Sequence, residues 1–147
     1  MQPVKGREQT TQTAGRDQIG EVMNQLRTLI VDDSSVMRKI VERSLRQAGL
    51  DLVEVHEAGN GAEALTVLGQ HQVDLIFSDI NMPVMDGLEF VRQVQSTKAS
   101  TAPVVMITTE GSESNVMQAL SLGAKGYIRK PFTADQVKEH ILPIVER

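Results

Sequence analysis

The chain has 147 residues, of which 40% are hydrophobic and 23% charged, and its formal net charge at pH 7 is −4. This length and composition fit one globular domain that buries a sizeable core without a disulfide or a structural metal. The acidic balance argues against direct binding to nucleic acid, and the lack of cysteine excludes a disulfide framework, a thiolate zinc site and a cysteine nucleophile.

The first 24 residues are polar, and we interpret residues 1–24 as a mobile extension that precedes a domain over residues 25–147. The N-terminus lacks the apolar core of a secretory signal. No apolar run reaches the roughly 20 residues that cross a bilayer. We therefore expect a cytoplasmic protein that does not insert into membranes.

Short apolar runs alternate with amphipathic stretches from residue 26 onward, which is typical of βαβ units around a parallel sheet. The runs predicted to form strands are 29–31, 52–55, 73–77, 104–107 and 126–128. The third and fourth runs are nearly continuous in apolar residues, as central strands covered on both faces are, while the second alternates like an edge strand.

The stretches between the strands have helical spacing of apolar residues. They predict helices at 36–48, 60–68, 87–94, 114–122 and 133–145. Ser34 and Gly49 suit the two caps of the first helix, and Thr133 with Gln136 forms a capping box at the start of the last. Pro143 lacks a backbone donor and is expected to kink or fray the final turn. With right-handed crossovers, these elements predict a single α/β domain with a doubly wound (βα)5 fold and a parallel five-stranded sheet of the flavodoxin-like type.

Polar residues follow the predicted strands at their carboxyl ends, where sites lie in open parallel sheets. Asp32 and Asp33 follow the first strand, Asp79 the third, Thr108 the fourth and Lys130 the fifth. Carboxylates held close together repel one another, which raises their pKa values or requires a cation. Because oxygen ligands of this kind suit Mg²⁺, the sequence predicts a magnesium site.

A carboxylate beside Mg²⁺ and a lysine can attack a phosphoryl donor and become an aspartyl phosphate. Lys130 and the metal would neutralise the transferring phosphoryl oxygens, and the Thr108 hydroxyl would donate to one of them. Asp79 is the expected acceptor, because its strand lies between the acid pair and the strand that carries the lysine.

Several segments together resemble the receiver domain of bacterial two-component response regulators. They are residues 31–34 (VDDS), 79–87 (DINMPVMDG), Thr108 and 126–132 (GYIRKPF). Within that family the chain is similar to the CheY-like group of stand-alone chemotaxis regulators, because residues 35–38 (SVMR) also fit. The resemblance implies a signalling protein rather than a metabolic enzyme, with self-catalysed phosphotransfer and autodephosphorylation.

The resemblance also implies the roles of the acidic residues. Asp79 would accept phosphate from a histidine kinase. Mg²⁺ would be held by Asp33, Asp79 and the backbone carbonyl of Asn81, and Asp32 would support the metal through water.

The resemblance makes Thr108 and Tyr127 a switch pair, in which the hydroxyl moves to the phosphoryl group and the ring follows inward. Lys130 would contact the phosphoryl oxygens, and its bond to Pro131 is expected to be cis. The output partner implied is a flagellar motor switch protein, with a phosphatase as a further possible partner.

Two features bear on reaction rates. Thr109 stands where the family usually has a small residue, so we expect its bulk to narrow donor access to Asp79. Asn81 and Glu110 lie two residues beyond Asp79 and Thr108, where they could position the water that removes the phosphate.

Other interpretations of these residues exist. Asp32 and Asp33 also suit the N-terminus of the following helix. Residues 59–64 (GNGAEA) fit the dinucleotide-binding pattern G-x-G-x-x-A, with Gly59 and Gly61 as its glycines and Asp79 at a ribose-binding distance. That interpretation leaves the acid pair and the lysine without a role, and the chain has no evident substrate domain.

A haloacid-dehalogenase-type phosphatase also uses an aspartyl nucleophile, but it needs a second acid two residues later, where Asn81 stands. Within the receiver interpretation, a stand-alone receiver or an excised receiver of another regulatory pathway stays open. The histidines, His56, His71 and His140, lack a ligand spacing and are predicted to be surface residues.

Overall fold

The computed structural model describes residues 25–109 and 113–145, so the predicted extension over residues 1–24 lies outside the described residues. The strands are β1 (Leu26–Val31), β2 (Leu52–Ala58), β3 (Leu75–Asp79), β4 (Val104–Thr108) and β5 (Gly126–Arg129). They form one parallel sheet in the order β2-β1-β3-β4-β5. The predicted doubly wound fold is confirmed, with β2 at one edge and β3 at the centre.

The helices are α1 (Ser35–Gln47), α2 (Gly61–Gln70), α3 (Gly87–Thr97), α4 (Glu113–Leu122) and α5 (Ala134–Val145). They cover both faces of the sheet. One apolar cluster packs α1 and α5 against it, and its buried side chains include Leu45 and Ile141. The other packs α2, α3 and α4 on the opposite face, around Leu68, Phe90 and Ala119. Because both faces are covered, the central strands need apolar residues at nearly every position.

The predicted caps are confirmed. The Ser34 side chain accepts a hydrogen bond from the Met37 backbone N–H at 3.1 Å, and α1 is followed by Gly49 with φ +103°. At the start of α5, the backbone N–H groups of Thr133 and Gln136 each donate to the other's side chain, at 3.0 and 3.2 Å. Pro143 lies inside the last turn of α5.

Each strand differs from the sequence-based expectation at one end or both: β1 begins at Leu26 rather than at residue 29, and β4 and β5 each end one residue later than predicted. β2 continues to Ala58, through polar residues that sequence patterning assigns to a loop, because an edge strand needs only its backbone paired with β1. β3 begins at Leu75 rather than at residue 73. Asp74 there engages Arg27, whose Nε and Nη2 donate to its carboxylate at 3.0 Å. No helix among the described residues is long and apolar enough to cross a membrane.

Candidate functional site

The acidic site forms where the register of the sheet places two strand ends side by side. Val31 on β1 pairs with Ser78 on β3, so the next residues, Asp32 and Asp79, leave the sheet next to each other. One carboxylate oxygen from each of Asp32, Asp33 and Asp79 lies within 4.8 Å of the others. No other group of three metal-ligating side chains is this tight within residues 25–109 and 113–145. The structure thus brings together the predicted acids.

Asp32 is buried, with 2% of its surface exposed, and each of its oxygens has a partner. Oδ1 accepts from the Ser34 backbone N–H at 2.9 Å, next to the start of α1. Oδ2 accepts from Lys130 Nζ at 3.2 Å. The Asp32 side chain therefore does both things that the sequence suggested: one oxygen binds the backbone at the start of α1, and the other belongs to the acidic site.

The backbone of the acid pair is held by a residue that sequence reasoning missed. Arg38 on α1 donates from Nη1 to the Asp32 carbonyl at 2.6 Å and from Nε to Glu57 on β2 at 2.7 Å. Lys39 also donates to Glu57, and these two cations, Lys39 first, lower the pKa of that carboxyl below its usual range. The sequence signals for Arg38 were its place in the SVMR segment at residues 35–38 and a basic side chain in the first turn of α1, where acids are usual, but neither indicated this contact. This network ties β2 to the loop that carries the acids.

Asp79 at the end of β3 is half-buried and only partly neutralised. Its Oδ1 accepts from the Ile80 backbone N–H at 2.8 Å, and its Oδ2 lies 3.9 Å from Lys130 Nζ. Burial raises the pKa of Asp79, the charges of Asp32 and Asp33 raise it further, and Lys130 opposes the shift. The sequence predicts that neighbouring carboxylates raise one another's pKa values, and Asp32 and Asp33 have this effect on Asp79. Three oxygen donors with an excess of negative charge fit a hard divalent cation such as Mg²⁺.

Thr108 and Lys130 border the same site. Thr108 is buried, and its hydroxyl donates to the Thr109 carbonyl at 3.0 Å. The Lys130 backbone N–H donates to the Thr108 carbonyl at 2.7 Å, which joins the ends of β4 and β5. The Lys130–Pro131 peptide is cis, as expected. Thr109 is exposed next to this pair.

The loop from Ile80 to Asp86 approaches the site so closely that only glycine fits at its end. A Cβ on Gly87 would lie 2.1 Å from the Asp79 carbonyl oxygen. The Gly87 N–H donates to the Ile80 carbonyl at 2.7 Å, so the start of α3 lies directly against the end of β3. Asn81 is exposed in this loop. Glu110, which was predicted to tune loss of phosphate, lies outside the described residues.

Tyr127 lies on the edge strand β5, with 37% of its surface exposed. Its ring centroid is 5.8 Å from that of His140 on α5, and the two planes are tilted by 45°.

Of the three histidines, His71 is exposed as predicted, while His56 and His140 are half-buried. His56 stacks on His71 with centroids 4.1 Å apart. Sequence spacing gave no sign of either aromatic contact.

The glycine pattern at residues 59–64 has a structural explanation. The Gly59 N–H donates to Glu63 Oε1 at 2.8 Å, and the Gly61 N–H donates to the Met85 carbonyl at 2.9 Å. A Cβ on Gly61 would lie 2.7 Å from Met85 Cγ. The pattern also follows the edge strand β2, whereas the topological switch point, where such folds bind ligands, lies between β1 and β3. Both N–H groups are thus engaged within the protein, which does not support a dinucleotide site.

Comparison with known proteins agrees with this geometry. The family described as "Response regulator receiver domain" matches residues 28–142. A protein named chemotaxis protein CheY homolog from Campylobacter jejuni is 42% identical over 118 residues, which cover 79% of this chain and 89% of that protein.

Solved structures give the same result. The chemotaxis protein CheY4 of Vibrio cholerae is similar with a TM-score of 0.67 and 37% identity, over 78% of this chain and 94% of that one. A putative response regulator from Chloroflexus aurantiacus is similar with a TM-score of 0.73 and 31% identity, over 84% of this chain and all of the other.

The fold and the acidic strand-end site thus define a phosphorylation-responsive signalling module. The chain belongs to the response regulator receiver domain family. Its similarity is to receivers of the CheY-like kind, which are signalling proteins.

Proposed function

We propose that this chain is a signalling switch in which Asp79 accepts a phosphoryl group from the phosphohistidine of a histidine kinase. The observation that carries the proposal is the position of Lys130, whose ammonium lies 3.2 Å from Asp32 and 3.9 Å from Asp79. A lysine held between two carboxylates at a strand end is placed to neutralise oxygens on a group attached to either one. Asp79 is the acceptor because Asp32 is buried and both of its oxygens are engaged.

Mg²⁺ fits the acidic group as the cofactor. Asp33 and Asp79 would bind it together with the backbone carbonyl of Asn81, and Asp32 would act through a water molecule. When bound, the metal supplies charge neutralisation for phosphoryl transfer. The raised pKa of Asp79 supports this proposal, because burial, the largest cause, together with the charges of Asp32 and Asp33 outweighs the opposing effect of Lys130.

The chain's own residues provide the remaining chemistry. An Asp79 oxygen forms the bond to phosphorus as the bond to the histidine nitrogen breaks, and the imidazole leaves. Lys130 stabilises the negative phosphoryl oxygens. The Thr108 hydroxyl exchanges its Thr109 carbonyl partner for a phosphoryl oxygen, and Tyr127 turns inward behind it. Autodephosphorylation follows when water attacks the same phosphorus.

We assign the switch to chemotaxis, with a flagellar motor switch protein as its output partner and a phosphatase as a further partner. This assignment is supported by similarity to proteins named for chemotaxis. A receiver of another pathway is the second candidate, because response regulators that are not named for chemotaxis are also similar in structure. A cytoplasmic location is part of the proposal, since histidine kinases draw their phosphate from ATP inside the cell.

Labelling with radioactive acetyl phosphate or a phosphorylated kinase tests the acceptor. Asp79→Asn should abolish labelling. Asp74→Asn is the matched control, because Asp74 is a half-buried acid that directly precedes β3, at the opposite end of that strand, and it should keep full labelling. Full labelling of Asp79→Asn would disprove the proposal. Binding of a purified motor switch protein only to the labelled form would support the chemotaxis assignment.

Thr109, Asn81 and Glu110 are proposed to set the rates at which Asp79 gains and loses phosphate. Thr109→Ala should speed labelling by acetyl phosphate if the bulk of Thr109 narrows access to Asp79. Replacing both Asn81 and Glu110 with bulkier or apolar residues should slow the loss of phosphate. The measurement is the time course of label gained and lost, and unchanged rates would show that these side chains do not set them.

A further inference from the structure

His140 contacts the ring of Tyr127 from α5, a helix that is anchored on the sheet. Its neighbours on α5, Val137 and Ile141, are almost fully buried and anchor the helix on the sheet. A Cβ on Gly126 would lie 4.0 Å from the His140 carbonyl, so the α5 backbone passes close to the residue that precedes Tyr127. The histidine therefore has a defined place relative to the tyrosine.

The contact requires Tyr127 to lean outward. Side chains alternate along a strand, and Ile128 packs into the cluster shared with α1 and α5. Tyr127 therefore leaves β5 on the opposite face, and its ring reaches α5 by leaning past the free edge of the sheet. Thr108 lies on β4, two residues beyond Met106, which pairs with Tyr127, so it is on the inner side of Tyr127 and away from the free edge. The ring cannot contact His140 and lie beside Thr108 at the same time.

We propose that His140 is a positioning residue that holds Tyr127 in its outward orientation and so opposes the switch. This inference rests on the proposed function only for its consequence in signalling. A tilted aromatic pair at this separation shifts an equilibrium by about two- to tenfold beyond the effect of burial. Because the pair exists only in the outward orientation, its loss increases the ratio of the inward to the outward population by that factor.

The ring orientation is measured directly by NMR in the protein without ligand. The nuclear Overhauser effect between the Tyr127 ring protons and the Thr108 methyl reports the inward orientation. It should strengthen in His140→Ala and in His140→Gln. His140→Phe should restore the weak effect of the unmodified chain, because it retains an aromatic face. His71→Ala removes a histidine from the end of α2, far from this contact in the fold, and should leave the Overhauser effect between Tyr127 and Thr108 unchanged.

The consequence for signalling is measured with beryllofluoride and Mg²⁺, which together mimic the phosphoryl group. By linkage, His140→Ala should bind the mimic about two- to tenfold more tightly than the unmodified chain and His140→Phe. Urea unfolding of each variant checks that the fold is retained.

The outcomes separate this inference from the proposed function. An unchanged Overhauser effect in both His140→Ala and His140→Gln would overturn the inference, even if Asp79 is phosphorylated. A strengthened effect supports it as a statement about Tyr127 orientation, even in a protein that fails to bind the mimic. That failure would count against the proposed function alone.

Discussion

The Asp79 carboxyl lies in a place that disfavours its charged form. Burial and the neighbouring acids raise the pKa of this carboxyl in the folded chain above its unfolded value. Folding stability therefore falls as the pH rises through these two values, because the folded state holds the proton longer. The residue proposed to react thus destabilises the fold that positions it, as is common at functional sites.

Asp79→Asn should raise the free energy of unfolding at pH 7 when Mg²⁺ is removed with a chelator. The gain should shrink as the pH is lowered toward the raised pKa of Asp79, because the unmodified carboxyl then becomes neutral as well. Urea unfolding between pH 4.5 and 7.5 measures both effects.

Asp74 provides a control of opposite sign. Its hydrogen bonds with Arg27 lower its pKa in the folded chain, so it stabilises the fold above the unfolded value and loses that effect as the pH falls through the lowered one. Asp74→Asn should lower the free energy of unfolding at pH 7. Equal signs for the two variants would contradict this electrostatic account.

At the scale of elements, the junction between β3 and α3 sets the geometry of the site. Gly87 lies against the Asp79 backbone, so any side chain there must push the helix away from the strand. The same junction carries Asn81, whose carbonyl is a proposed metal ligand.

Gly87→Ala should lower the free energy of unfolding by roughly 1–3 kcal/mol, because the added methyl group overpacks a backbone contact that cannot yield. It should also slow the labelling of Asp79. Gly69→Ala is the matched control, since Gly69 lies in α2 with no atom within 4 Å of the added Cβ. That variant should gain about 0.5–1 kcal/mol from helix propensity. Unchanged stability and labelling in Gly87→Ala would show that the junction is not tight.

At the scale of the whole molecule, the site exists only when β1 and β3 are aligned, so metal binding and folding are coupled. A ligand that binds only the folded chain stabilises it by an amount that grows with the logarithm of the ratio of free ligand to its dissociation constant. Mg²⁺ at ten times its dissociation constant should therefore add about 1.4 kcal/mol to the free energy of unfolding.

Asp33→Asn should lose most of this Mg²⁺ increment, whereas Asp74→Asn should retain it. Thermal or urea unfolding with and without Mg²⁺ gives the comparison. An increment of the same size in Asp33→Asn would place the metal elsewhere.

Local patterns in the chain were enough to predict the fold class and the main members of the candidate site. Alternating periodicities give the order of strands and helices, and the strand-end rule groups Asp32, Asp33 and Asp79 with Thr108 and Lys130. Both predictions rest on short-range features, namely side-chain period and position at a strand end. These patterns did not predict the polar half of β2, because an edge strand is held by backbone pairing that leaves no apolar pattern in the sequence.

Contacts between residues distant in the chain were decided only by packing. Lys130 reaches Asp32 across 98 positions, and Arg38 reaches Glu57 across 19, so no local spacing reveals either hydrogen bond. The requirement for glycine at Gly87 and the contact between Tyr127 and His140 depend on how closely helices lie on the sheet. These distances come from the sum of all core packing, which is why the grouping of the acidic side chains could be predicted from sequence and their supporting contacts could not.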